Sequence, residues 1–153
     1  MRGWRSQGAI RIVGPRDVLL GALARMVLTR KDLIKLDEAL EEYRIVQHPT
    51  DAELVIVGLT YDSWKWYDSY PDIQAIEAIW STLSAEEGVD AAFVRIGEDN
   101  DDVETRYIGN DAFELASVVR SVEADPMTGE DLRNVLSSKI DDQKTQGEPD
   151  GRD

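Results

Sequence analysis

The sequence predicts an α+β fold: a mainly antiparallel sheet of about five strands with helices packed on one face. Three observations lead there. Short strand-like runs alternate with apolar helical stretches, which is the ordering of two packed layers. Residues 91–96 and 103–108 are two such runs separated only by an acidic turn, the pattern of a hairpin. The most apolar run, Leu54-Val55-Ile56-Val57, is followed by a well-signalled amphipathic helix. A small open α/β sheet is the alternative arrangement of the same elements.

Taken in order, residues 9–13 alternate apolar and basic (Ile10, Arg11, Ile12) and stop at Gly14-Pro15, a short strand and a turn. Residues 17–29 are rich in Leu, Ala, Val and Met and predict a mostly buried helix. A second helix is expected over 32–43, with Leu33, Leu36, Leu40 and Tyr43 near helical spacing and Asp37, Glu38, Glu41 and Glu42 on its polar side. Whether the two form one bent helix or a helical hairpin stays open at this level. A strand over 43–47 and a turn at Pro49-Thr50-Asp51 come next. Residues 54–57 are then expected as a central strand buried on both faces. Residues 62–70 read as an aromatic connection.

Pro71 is suited to the first turn of a helix, because its missing N–H is not needed there. Ile73, Ile76, Ile79 or Trp80, and Leu83 fall on one face, and Gly88 lies just past the end. After the hairpin, a helix is expected over 112–122. Asp125-Pro126 marks a change of composition. Thr128 with Asp131 suggests a helix cap. Leu132, Val135, Leu136 and Ile140 make a narrow apolar stripe on an amphipathic helix over 130–140. The expected organisation is one domain over 1–125, an appended amphipathic segment over 126–142, and a disordered acidic tail over 143–153.

Composition excludes several chemistries. The 153 residues contain no cysteine, which removes disulfides, thiolate metal sites and cysteine nucleophiles. One histidine, His48, leaves no histidine-based metal cluster within a chain, and it reads as structural or solvated. Neither the Gly-rich phosphate loops nor a Gly-x-Ser-x-Gly elbow is present. The expectation is no cofactor, no metal site and no catalytic set. No secretory leader or membrane-length apolar run is visible, so a cytoplasmic location without membrane association is expected.

Charge is the dominant feature. There are 31 acidic against 17 basic side chains, a formal net charge of −14. Residues 1–35 are net basic, and the remainder is strongly acidic. A polyanionic surface repels nucleic acid at long range, so direct binding to it is not expected, whereas a protein partner with a basic surface is. The basic N-terminal segment is expected mainly to anchor the acidic remainder. Lysine is scarce, five against twelve arginines, which also suits a salt-loaded cytoplasm in which the acids hydrate the surface.

Two surfaces stand out. The first is acidic: Asp37, Glu38, Glu41 and Glu42 on the second helix, with Glu98, Asp99, Asp101, Asp102 and Glu104 around the hairpin tip. The second is aromatic: Tyr61, Trp64, Trp66, Tyr67 and Tyr70 fall within ten residues. Rings with polar tips bury large areas at little entropic cost, which favours them at binding sites and equally as caps on a core. The leading expectation is a non-enzymatic protein-binding or regulatory accessory module using both surfaces. One form of it is polyanion mimicry, with carboxylates standing in for phosphates. The alternatives are a small-ligand or enzymatic site at the aromatic segment, and a structural subunit, such as a homodimer joined through a sheet edge or the C-terminal helix, whose charge is salt adaptation.

Overall fold

The computed structural model describes residues 5–67, 69–97, 102–109 and 129–147. The strands are β1 (Arg5–Pro15), β2 (Arg44–Gln47), β3 (Leu54–Lys65), β4 (Asp90–Ile96), β5 (Val103–Ile108) and the two-residue β6 (Glu130–Asp131). The helices are α1 (Arg16–Thr29), α2 (Leu36–Glu42), α3 (Pro71–Ser84) and α4 (Leu132–Gly147). The six described strands form one sheet in the order β5-β4-β1-β3-β2-β6, and each described pairing is antiparallel. The fold is therefore α+β, with the described helices on one face of an antiparallel sheet.

Alternation explains the layering. In β1, Ile10 and Ile12 point into the main core, and their partners across the ladders, Leu59, Val57, Phe93 and Ala91, point the same way. Helices α1, α2 and α3 supply Leu19, Leu23, Leu40, Ile76, Ile79 and Leu83 from above. The intervening residues Ala9, Arg11 and Val13 face the opposite side of the sheet. So β3 is central, as expected, but it is not buried equally on both faces: Val55, Val57 and Leu59 are buried, while Ile56 and Thr60 are half-exposed. An antiparallel sheet with its described helices on one side produces that pattern.

Several boundaries differ from the sequence expectation for one reason. Long-range pairing extends strands beyond their apolar cores. Strand β1 runs eleven residues because β3 and β4 flank it on both sides. Strand β3 continues through Tyr61 to Lys65, so half of the expected aromatic connection is strand. Conversely, residues 30–35 are turns and irregular backbone, which shortens α2 to seven residues and separates it from α1. Glu130 and Asp131 pair with β2 rather than opening a helix, and Asp131 Oδ1 then accepts the Arg133 N–H at the start of α4.

Helix α4 runs to Gly147, past the expected end at 142 and into the expected tail. It is seated on its own fold: Leu132 and Leu136 are buried in the main core, and Val135 and Ile140 pack against it. The helix expected over 112–122 and residues 148–153 lie outside the described residues. Among the described residues, no helix is long and apolar enough to cross a membrane.

Candidate functional site

The aromatic segment is shaped by a β-bulge. Gly8 pairs with Tyr61 and Ser6 with Trp64, so one residue of β1 faces two of β3. That extra residue brings Trp64 back to the helical face beside Tyr61 instead of leaving it on the far side. Tyr61, Trp64 and Trp66 then stack, with centroids 5.3, 4.8 and 6.4 Å apart, and Trp66 meets Phe93 edge-on at 5.8 Å. Tyr67 and Tyr70 form a second, T-shaped pair at 4.9 Å.

The rings divide by role. Tyr61 is buried, and its hydroxyl finds no hydrogen-bond partner among the described residues. Burial pushes its phenol far above the ordinary value. Trp66 is half-buried against the core. Trp64 and Tyr70 reach solvent and, with α2 and the start of α3, form the walls of an open cleft of about 640 Å³.

That cleft joins the two surfaces singled out by sequence. Glu38, Glu41 and Glu42 line it from α2, Trp64 and Lys65 from the end of β3, and Tyr70, Asp72 and Ile76 from α3. Four carboxylates therefore face one ammonium around two aromatic rings. Helix α2 presents its acids here because Leu36, Ala39 and Leu40 are buried on its other side. Glu38 is held by Lys35 at 2.9 Å, and Glu41 lies 3.6 Å from Arg133, which also donates to Asp37 at 2.7 Å. These pairs are solvent-exposed, so each contributes little to stability and can exchange for another cation at little cost. Glu42 has no ion-pair partner among the described residues. Asp37 sits outside the cleft, on the α4 side of α2.

The hairpin acids are differently placed. Asp102 and Glu104 both bind Arg95, at 3.0 and 3.2 Å, and Glu104 also binds Arg106 at 2.7 Å. Arg106 reaches Glu77 of α3 through two bonds of 2.6 and 2.9 Å and lies over the Phe93 ring. The hydrogen bonds from Glu77 and Glu104 hold the Arg106 guanidinium above its usual value against the effect of burial. For Arg95, burial alone would lower the value; its bonds to Asp102 and Glu104 outweigh that and raise it. The two acids thus brace the hairpin itself, and Arg106 ties it to the helical layer through Glu77. Glu98, Asp99 and Asp101 lie outside the described residues.

Sequence reasoning missed Asp72 and Lys65 as cleft residues. Asp72 carries a signal, an acid in the first helical turn after Pro71; the position of Lys65 depends on the extended β3. The remaining candidates act structurally. His48 Nδ1 accepts the N–H groups of Thr50 and Asp51 and closes the turn before β3. The N-terminal basic residues bind acids only in part: Arg25 meets Glu86 and Arg30 meets Asp32, whereas Arg11 is buried. Its guanidinium donates to the carbonyls of Ile10 and Leu59 and to Thr60 Oγ1, and burial pulls it down to about 10. Among the described residues, no group of three or more histidines or carboxylates is arranged to hold a metal ion.

No protein-family model matches the chain, and no curated protein or solved structure is significantly similar to it.

Proposed function

We propose that this chain is a non-enzymatic protein-binding module whose cleft between α2, the end of β3 and α3 receives a basic segment of a partner protein. One observation carries the reading: Glu38, Glu41, Glu42 and Asp72 surround a cleft walled by Trp64 and Tyr70. Carboxylates beside partly exposed aromatic rings are the complement of an arginine or lysine side chain. The cation gains ion pairs at its tip and ring contact along its stem. The net charge of −14 adds long-range attraction that speeds encounter with a basic partner. The cleft is preferred to the hairpin because it sets its carboxylates beside aromatic rings, whereas Asp102 and Glu104 are engaged by Arg95 and Arg106.

The test separates this cleft from general negative charge. An arginine-rich peptide is titrated against three proteins by calorimetry at low salt. The variant Glu38→Gln, Glu41→Gln, Glu42→Gln is expected to bind at least about tenfold more weakly, equivalent to about 1.4 kcal/mol. A control of equal charge, Asp51→Asn, Glu53→Gln, Glu87→Gln, alters exposed acids elsewhere and is expected to change affinity less than about twofold. Equal losses in both variants would overturn the proposal.

A further inference from the structure

Among the described strands, β5 stands at one end of the sheet and pairs with β4 alone, over six unbroken positions. The opposite edge, β6, is two residues long and offers little template for another chain. Edge strands are commonly blunted by lysine, proline or a bulge, and Val103–Ile108 has none of these. Instead Val103 and Tyr107 are 52% and 39% exposed, with the exposed Thr105 between them.

The ladder fixes which backbone groups of β5 are free. In an antiparallel pair, hydrogen-bonded and non-hydrogen-bonded positions alternate. The Gly97 N–H donates to the Asp102 carbonyl at 2.7 Å, so Gly97–Asp102 is a hydrogen-bonded position. By alternation Arg95–Glu104, Phe93–Arg106 and Ala91–Ile108 are hydrogen-bonded too, and the positions between them are not. The Val94 carbonyl agrees, since it lies against Gly8 of β1 and so turns away from β5. Val103, Thr105 and Tyr107 therefore aim their N–H and C=O groups at the open edge. Their side chains share the sheet face opposite the described helices, while Glu104 and Arg106 point to the helical face.

We infer that β5 pairs with β5 of a second copy of this chain, antiparallel and centred on Thr105, joining two sheets into one. Pairing in phase with the free backbone groups sets Val103 opposite Tyr107 of the second copy, Thr105 opposite Thr105, and Glu104 opposite Arg106. Each is a favourable cross-strand pair: β-branched with aromatic, threonine with threonine, and opposite charges. The outward positions make about six hydrogen bonds between the chains. Charge selects this register. Moving the centre by one residue opposes Glu104 to Glu104 or Arg106 to Arg106, and like charges directly opposite destabilise a pair. Within the chain, Glu104 and Arg106 already bind each other and reach Arg95 and Glu77. Across the two-fold axis they extend that cluster into the second copy. A strand with the same order of apolar residues and complementary charges from either end is its own partner, as a two-fold interface requires. The edge is also separate from the cleft, none of whose lining residues lies on β5.

The test is sedimentation equilibrium of the full chain at about 0.5 M salt, which screens the repulsion between two chains of net charge −14. The mass is expected to rise from monomer to dimer with concentration. A mass that stays monomeric at about 1 mM would overturn the inference. Thr105→Pro deletes an outward N–H that the β4 ladder does not use, so the variant is expected to stay folded and to dimerise at least about tenfold more weakly. Unchanged dimerisation would assign the contact to another surface and overturn the inference. Cysteine variants read the register and cover the case of a misfolded proline variant. Thr105 and its copy are opposed with Cα atoms about 5.5 Å apart, within disulfide reach. Tyr107 and its copy are separated by about 14 Å along the ladder, beyond it. In this cysteine-free chain, oxidised Thr105→Cys is therefore expected to cross-link two chains and Tyr107→Cys is not. Equal cross-linking of both, or none in Thr105→Cys, would overturn the pairing.

Discussion

Tyr61 shows how one side chain serves packing at a polar cost. Its ring organises the Trp64 and Trp66 stack, yet its hydroxyl is buried without a partner among the described residues. Tyr61→Phe keeps the ring and removes the unsatisfied group, so it is expected to raise stability by about 1 kcal/mol. In a thermal melt that is an increase of about 2–4 °C. Gly8 lies against this hydroxyl and the Val94 carbonyl, leaving no room for a methyl group. Gly8→Ala is expected to lower stability by about 1–3 kcal/mol in urea denaturation.

The same residues set the alkaline limit. Burial raises the phenols of Tyr43 and Tyr61 above 10.0, so the unfolded chain releases those protons first. Their contribution is intact below pH 10 and is lost as pH rises beyond it. Arg11, lowered to about 10 by burial, works in the opposite sense above pH 10, one group against two. The unfolding midpoint is expected to fall above pH 10, and to fall less steeply in Tyr61→Phe. A midpoint independent of pH from 9 to 11 would contradict this.

Among the elements, the β4–β5 hairpin depends on the ionic cluster that ties it to α3. The Arg106–Glu77 pair is bidentate, and both side chains are about three-quarters shielded. A double-mutant cycle with Arg106→Met and Glu77→Gln is expected to give a coupling of about 1 kcal/mol. The exposed Asp37–Arg133 pair should give about 0.5 kcal/mol or less in the same measurement. Equal couplings would mean that burial does not distinguish the two. Elements with a local signature were legible in the sequence. The α3 stripe Ile73, Ile76, Ile79, Trp80 and Leu83 is buried as its periodicity requires, and the hairpin over 91–96 and 103–108 matches within one residue. The extension of β3 to Lys65 was not legible. Its warrant is pairing with Arg5 and Ser6, some sixty residues away, and a bulge that no local pattern announces.

Over the whole molecule, charge and topology act together. The acids of α2 and the rings at the end of β3 are more than twenty residues apart in sequence. They share a cleft because α2 packs on α3 while β3 feeds into α3 through Tyr70. The residue classes in the cleft were legible from composition and spacing. Their meeting was not, because it depends on tertiary contacts between α2 and α3. The hairpin acids illustrate the converse: a dense acidic run reads as a free surface, yet Asp102 and Glu104 are bound by arginines from strands β4 and β5. If the charge serves a partner rather than a salt-rich environment, the protein should be folded at 0.1 M salt, where surface repulsion is only partly screened. A circular dichroism spectrum at that salt checks this; a chain folded only in molar salt would contradict it.

The central claim is that the cleft, and not the acidic surface at large, receives a basic segment. Its most direct test is an NMR titration of the isotopically labelled protein with an arginine-rich peptide at 0.1 and 0.5 M salt. The account predicts shift changes confined to residues 36–42, the Trp64 and Lys65 signals, and residues 70–76, weakening as salt rises. Shifts spread evenly over exposed acids on all sides of the molecule, or centred on the β4–β5 hairpin, would contradict it.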